Sequence, residues 1–193
     1  MLKMNPVAKA ILQPTICLFV VCLITTFLLA VTNQATEPVI AANTKATAER
    51  IYKEMLPEVE EFTAQTTELN GKKYEVQVGK AGGKTIGYVF NTQTNGYGGP
   101  VVVLTAIKAD GSIAGAQILE MQETAGLGMN ASKPEFIDQY KGKKSKLHVV
   151  KDGASKDDEI QAISAATITS KAVTKSVNTA MDLFALVNGK EAK

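Results

Sequence analysis

Residues that bind metals are scarce in this sequence. His148 is the only histidine, and the two cysteines, Cys17 and Cys22, lie inside one apolar run near the N-terminus. The rest of the chain therefore has no thiolate for an iron–sulfur cluster, no haem attachment motif and no disulfide. Zinc and copper sites lack ligands for the same reason, so we expect no metal site. Redox chemistry in this part of the chain would need another cofactor.

Groups that carry out hydrolysis are equally scarce. A nucleophile needs an adjacent base, and His148 lies in a short alternating run where a structural position in a strand is the favoured interpretation. The glycine patterns of nucleotide sites are also absent, because no third glycine follows Gly126 and Gly128 at the required spacing. We therefore predict no catalytic residue.

Charge of either sign is not in excess. The chain has 21 Lys and Arg against 19 Asp and Glu, a net charge of +2, and Arg50 is its only arginine. Nucleic-acid-binding surfaces are basic and rely on arginine, so we exclude a nucleic-acid partner. The length of 193 residues suits one membrane segment and one compact domain.

What the sequence does contain is a long uncharged segment near its start. No charged residue occurs from Ala10 through Thr36, and a membrane-spanning helix needs about 20 mainly apolar residues. Lys3 and Lys9 precede this segment and Glu37 is the first charge after it. The excess of lysine on the N-terminal side predicts a cytoplasmic N-terminus.

A cleaved signal peptide is the alternative interpretation of this segment. The run Ala30-Val31-Thr32 is a poor cleavage site after a rather long apolar region, so a retained single-pass anchor is favoured. The sequence then predicts a cytoplasmic tail (1–9), a transmembrane helix (10–32), a helical connector (33–61) and an extracytoplasmic domain (62–193). The connector is predicted from apolar residues at helical spacing, with Pro57 near its end.

The extracytoplasmic domain is predicted to be α+β. Period-two patterns indicate antiparallel strands, with a tight turn at Asp110-Gly111 and a glycine-rich turn over 95–100. For Tyr88, Phe90 and Tyr97, both a core position and a place against a cofactor are open, and the core is favoured. The predicted strands are 74–78, 86–90, 101–107, 113–121 and 147–150, and the predicted helices are 134–140 and 171–187, the last one closing the domain.

A hydroxyl-rich run of small residues, Ser164-Ala165-Ala166-Thr167-Ile168-Thr169-Ser170, leads into the closing helix. One interpretation is a helix cap, in which a hydroxyl satisfies a free backbone N–H group. The other is a phosphate site, because a helix N-terminus offers free N–H groups and the positive end of the helix dipole. Physical reasoning alone favours the cap.

The same run resembles the Ser-Gly-Ala-Thr flavinylation motif of the FMN-binding domain family. A second stretch, Glu123-Thr124-Ala125-Gly126-Leu127-Gly128, resembles the Glu-Thr-Pro-Gly-Leu-Gly segment that lies against the flavin in that family. The resemblance implies that FMN is joined by a phosphoester to Thr167. It also implies that the following residues line the flavin: Ser164, Ala165, Ala166, Glu123, Thr124, Gly126, Leu127 and Gly128.

With its N-terminal anchor, the chain is similar to the family of G subunits of Rnf ion-translocating electron-transport complexes. The resemblance implies an electron-carrying subunit, not a complete enzyme, in a complex that couples electron flow between ferredoxin and NAD to ion transport. The implied partners are the other membrane and redox subunits and a flavin transferase that uses FAD as donor. The alternatives are the C subunit of a sodium-pumping quinone reductase, a free-standing exported flavoprotein that reduces a quinone or extracellular acceptor, and a membrane-tethered module without flavin.

The sequence departs from the family motifs at a few positions. Ala165 replaces the usual Gly, Gln161 stands where an Asp is common, and Ala125 replaces Pro. None of these changes removes the acceptor hydroxyl. Alanine for glycine matters only if the backbone at that position needs a positive φ.

Overall fold

The computed structural model describes residues 6–191, with side-chain surroundings for residues 10–189. The chain forms two compact units, Met1–Ala46 and Thr47–Lys193. The first contains most of helix α1, which runs over Pro6–Met55 with Pro14 and Pro38 inside it. Residues 1–5 of the predicted tail lie outside the described residues.

Helix α1 has the length and composition needed to cross a membrane. Its large apolar side chains from Ile11 through Ile40 are exposed. Its threonine hydroxyls donate to carbonyl groups one turn earlier, as Thr15 does to Ile11 and Thr32 to Leu28. Because lipid offers no hydrogen-bond partners, such internal pairing suits a membrane helix. The prediction of one long apolar helix is confirmed.

The predicted connector is only partly helical. Helix α1 ends at Met55 and the chain becomes extended at Glu61. The predicted connector, in contrast, is helical to residue 61. Pro57 follows the last helical residue closely, as expected of a residue that cannot continue a helix. Ala48, Ile51 and Leu56 are buried against the sheet, so the end of α1 belongs structurally to the second unit.

The second unit is built on a five-stranded antiparallel meander in the order β1-β2-β3-β4-β5. The predicted strands 74–78, 86–90, 101–107 and 113–121 are all confirmed. Strand β1 is an additional strand, paired along its whole length with β2. The observed bounds are β1 Glu61–Leu69, β2 Lys72–Ala81, β3 Lys84–Asn95, β4 Pro100–Lys108 and β5 Ile113–Met121.

Both faces of the sheet are covered. One face packs Val89, Leu104 and Ala106 against the end of α1. The other packs the alternate positions of the same strands, including Tyr88 and Phe90, against the C-terminal half of the chain. The period-two alternation of the strands therefore supplies two apolar layers.

The C-terminal half supplies the second layer with short elements and one long helix. Helix α2 (Pro134–Ile137) continues as a 3-10 turn to Tyr140, so the predicted helix 134–140 is confirmed in outline. Strands β6 (His148–Val150) and β7 (Glu159–Gln161) form a small parallel pair. Helix α3 (Thr167–Glu191) closes the domain, four residues longer at its start than predicted.

Candidate functional site

Helix α3 begins with a backbone turn that Ser170 stabilises from inside the helix. The Ser170 hydroxyl accepts a hydrogen bond from the Ile163 N–H at 3.0 Å and donates to the Ala166 carbonyl at 3.0 Å. The Ala166 N–H donates to the Ile163 carbonyl, also at 3.0 Å. Between them, Ala165 has a φ of +59°. This contact is not the predicted helix cap, because the N–H group that the Ser170 hydroxyl satisfies belongs to Ile163, before the helix begins.

Thr167 is the first residue of α3 and is partly buried. Its hydroxyl makes no hydrogen bond to any residue between 10 and 189, so it is not engaged as a cap. Helix α3 has 25 residues and no acidic residue in its first turn. The free N–H groups and the dipole at this end therefore favour an anion beside Thr167.

Thr167 lies in the wall of a cleft of about 550 Å³. Three large apolar side chains of the cleft are exposed, Tyr97 (74%), Ile168 (56%) and Leu127 (42%). Clefts of this size with apolar walls and few polar groups are typical of ligand sites. The cleft is lined by Tyr97, Glu123, Thr124, Leu127, Gly128, Ala165, Ala166, Thr167, Ile168 and Thr169.

Glu123 connects the parts of this cleft. Its Oε1 atom accepts hydrogen bonds from the Tyr97 N–H at 2.8 Å and the Gly98 N–H at 3.2 Å. Its Oε2 atom accepts one from the Thr169 hydroxyl at 3.0 Å. The carboxylate is therefore engaged by protein groups, and it holds the 95–100 turn to the start of α3.

Most of the predicted site residues meet in the cleft. Thr167, Ala165 and Ala166 come from one motif, and Glu123, Thr124, Leu127 and Gly128 come from the other. The predicted residues Ser164 and Gly126 do not line it. Gly126 has a φ of +76°, so it shapes the turn between β5 and the following 3-10 helix.

Sequence reasoning missed three lining residues, Tyr97, Ile168 and Thr169. Tyr88 and Phe90 are in the core as expected, but the same expectation for Tyr97 is wrong, since it is the most exposed aromatic of the described residues. The sequence feature that indicates the exposure of Tyr97 is its position between glycines, because a glycine-rich turn carries no neighbouring side chains to bury a ring.

The lysine run at 141–146 does not extend this site. Lys141, Lys144 and Lys146 form exposed ion pairs with Asp138, Asp110 and Asp182, and Lys143 donates to a backbone carbonyl. These contacts make the run part of the solvated surface. In the part of the chain that the structure describes, no group of acidic, histidine or cysteine side chains is arranged to hold a metal.

Comparison with known proteins identifies both parts of the chain. Residues 96–182 match the model of the FMN-binding domain, and residues 1–55 match that of the RnfG N-terminal region. The G subunit of the Na+-translocating ferredoxin:NAD+ oxidoreductase complex of Acetobacterium woodii is 38% identical, covering 91% of this chain and 92% of that protein. The G subunit of the proton-translocating complex of Clostridium ljungdahlii is 37% identical, with 89% and 90% covered.

Two solved structures share the fold. The C subunit of the Na+-translocating NADH-quinone reductase of Parabacteroides distasonis has a TM-score of 0.53 and 28% identity, covering 69% of this chain and 78% of that one. NqrC of Shewanella oneidensis has a TM-score of 0.52 and 20% identity, with 66% and 67% covered. The identity to the G subunits is higher and extends over nearly the whole chain. The chain therefore belongs to the family of G subunits of ion-translocating ferredoxin:NAD+ oxidoreductase complexes, and it contains an FMN-binding domain.

Proposed function

We propose that this chain is a membrane-anchored electron-transfer subunit that carries FMN through a phosphoester to Thr167. It acts in an Rnf-type complex, in which electron flow between ferredoxin and NAD is coupled to ion transport. The observation that carries the proposal is the placement of the Thr167 hydroxyl. It is free of protein partners among the described residues, starts a long helix, and lies in a cleft with exposed apolar walls.

The cleft offers surroundings suited to each half of FMN. The phosphate is an anion, and the first turn of α3 offers free N–H groups and the positive end of the helix dipole. The isoalloxazine ring is large and apolar on its faces, and Tyr97, Leu127 and Ile168 present exposed apolar surface around the same cleft. Burial of these surfaces against the ring stabilises the bound state.

Attachment requires a flavin transferase with FAD as donor. The Thr167 Oγ1 atom forms a bond to the phosphorus of the FMN half, the pyrophosphate P–O bond breaks, and AMP leaves with the hydroxyl proton. Ser164 and Ala165, three and two residues before Thr167, are exposed, so a transferase can reach this part of the motif from solvent. At Gln161, where an Asp is common in the family motif, the backbone N–H donates to Gln139 Oε1 and the side-chain amide donates to the Lys151 carbonyl.

The bound cofactor supplies transfer of one or two electrons, and the protein supplies position and electrostatics. The polar side chains that line the cleft are those of Glu123, Thr124, Thr167 and Thr169. The Thr169 hydroxyl is hydrogen-bonded to Glu123. A covalent link retains the flavin in a domain outside the cytoplasm. The proposed regions are a cytoplasmic tail (1–9), a transmembrane helix (10–32), a connector (33–61) and an extracytoplasmic FMN-binding domain (62–193).

Attachment is tested by co-expressing the full chain with a flavin transferase. We expect a mass increase of one FMN less one water, and flavin fluorescence that stays with the band in a denaturing gel. Thr167→Val removes the acceptor hydroxyl at nearly constant volume and should abolish both signals. Thr179→Val, the same change farther along α3, is the matched control and should keep them. Flavin retained by Thr167→Val would contradict the proposal.

Membership of a complex is tested separately. Affinity purification of the full chain from mildly solubilised membranes should recover integral membrane and redox subunits with it. Recovery of the flavinylated chain alone, at low and moderate salt, would favour a free-standing flavoprotein.

A further inference from the structure

The turn over 95–100 joins the paired ends of β3 and β4 and lies against the chain that follows β5, including Glu123. Within the turn, the Gly96 N–H donates to the Gly99 carbonyl at 2.7 Å. The next two N–H groups, of Tyr97 and Gly98, both point to one carboxylate oxygen of Glu123. The Tyr97 ring is 74% exposed, so it is not anchored by burial.

The other carboxylate oxygen of Glu123 reaches the opposite wall of the cleft. It accepts the hydroxyl hydrogen bond of Thr169, two residues beyond Thr167 in the first turn of α3. One side chain from the loop after β5 therefore joins two segments that are far apart in the sequence. Each contact is a hydrogen bond to a charged group, which is stronger than one between neutral groups.

Two glycines leave the space that this carboxylate occupies. A Cβ atom at Gly96 would overlap Glu123 Oε1, and one at Gly128 would lie 2.5 Å from Glu123 Oε2. Neither glycine has a positive φ, so backbone conformation alone does not require glycine at these positions. The room they leave is filled by the Glu123 side chain.

We propose that Glu123 is a positioning residue of the FMN cleft, which holds Tyr97 over the flavin ring by joining the 95–100 turn to the first turn of α3. The inference rests on the proposed function for the presence of FMN. It assigns Glu123 a role toward Tyr97 and Thr169 in addition to its place in the wall of the cleft. Tyr97 then provides an aromatic face whose position depends on the carboxylate.

The test compares Glu123→Ala and Glu123→Gln in the full chain in detergent, with Glu120→Ala as control. Glu120 is exposed at the end of β5, three residues earlier. A glutamine keeps the geometry, because its carbonyl oxygen accepts both amides and its NH₂ group donates to the Thr169 hydroxyl. Hydrogen exchange of a peptide spanning Tyr97 and Gly98 measures the contact without flavin, and visible circular dichroism of the attached flavin reports the ring's surroundings.

We expect Glu123→Ala to accelerate exchange in this peptide by about tenfold or more, because the Tyr97 and Gly98 amides each lose a hydrogen bond to a charged group, and to reduce the flavin dichroism. Glu123→Gln should stay within about twofold of the wild type in exchange and keep the dichroism, as should Glu120→Ala. Unchanged exchange and dichroism in Glu123→Ala would overturn the proposal, as would equal losses in the alanine and glutamine variants.

A second pair of variants applies if Glu123→Ala does not fold. Thr169→Val removes one hydrogen bond to the carboxylate, and Thr169→Ser restores the hydroxyl. We expect reduced flavin dichroism in Thr169→Val and wild-type dichroism in Thr169→Ser. Equal dichroism in the two variants would overturn the proposal that Glu123 joins the turn to α3. Absence of flavin from the wild type would instead refute the proposed function, and the exchange measurements would still decide the role of Glu123.

Discussion

Ala165 adopts a backbone conformation that is unfavourable for alanine. Its φ of +59° places it in the left-handed region, where an L-residue other than glycine is strained by roughly 1–2 kcal/mol. The strain is maintained by the hydrogen bonds of Ile163 and Ala166 on either side. The usual glycine of the flavinylation motif is thus replaced at a position that needs a positive φ.

We predict that Ala165→Gly stabilises the protein. Relief of the left-handed strain outweighs the extra freedom of glycine in the unfolded chain, for a net gain of up to about 1 kcal/mol. The measurement is thermal or denaturant unfolding of the full chain in detergent, and attachment of flavin to Thr167 should be kept.

The matched control for this variant is Ala185→Gly, on the exposed side of α3. Glycine in a helix interior costs about 1 kcal/mol relative to alanine, so this variant should be less stable than the wild type. Destabilisation by Ala165→Gly of similar size would show that the left-handed conformation is not strained in the folded protein.

Residue-level prediction succeeded where a short motif carries the information. Thr167 is recognisable from its immediate neighbours, and the structure puts it at the start of a helix as expected. Tyr97 is brought to the same cleft by contacts that cross a long stretch of sequence, such as the hydrogen bond from its N–H to Glu123. No local pattern encodes such a contact.

At the scale of elements, the β4–β5 hairpin is fixed by its turn. Asp110 accepts hydrogen bonds from the Ser112 hydroxyl at 2.6 Å and the Ser112 N–H at 2.9 Å, and it pairs with Lys144 at 2.9 Å. The hydrogen bonds from Ser112 and Lys144 lower the pKa of the Asp110 carboxyl well below its ordinary value of 3.8. The ionised carboxylate is the form that stabilises the turn.

This lowered pKa predicts a pH dependence of stability. Because the pKa is lower in the folded chain, the contribution of Asp110 is present above pH 3.8 and is lost as the pH falls through the folded pKa. Asp110→Asn should lower Tm at pH 7. The difference in Tm between this variant and the wild type should shrink as the pH falls below 3.8. Asp152→Asn, at an exposed aspartate after β6, is the control, and a constant difference across the range would refute the prediction.

Prediction of elements failed where patterns are weak. Strand β1 is a polar edge strand in which Thr67 is the only buried residue, so it has little hydrophobic alternation, and its pairing with β2 supplies the stabilising ladder. The other four strands contain buried apolar residues such as Val78, Phe90, Val103 and Ile113, and the sequence predicts all four. The end of α1 was misplaced by a few residues because a stripe of apolar residues does not reveal where packing stops.

At the scale of the whole molecule, the proposed topology predicts the fate of both ends. Alkaline phosphatase fused after Lys193 should be active and a green fluorescent protein in its place should be dark, because Lys3 and Lys9 keep the N-terminus in the cytoplasm. An N-terminal epitope should remain on the mature protein. Loss of the epitope would indicate a cleaved signal peptide. An active alkaline phosphatase fused to the N-terminus would indicate the opposite orientation.

The strand order of the meander also determines when the FMN cleft can exist. Each strand pairs with the one made just before it, so the sheet can assemble progressively as the chain is synthesised from its N-terminus. Val173, Val177 and Leu183 of α3 complete the cover of one apolar face of this sheet after the sheet itself has formed. Because Thr167 is the first residue of α3, a chain that stops before residue 167 lacks the proposed acceptor, and a chain that stops soon after it has the acceptor without the helix that packs on this face.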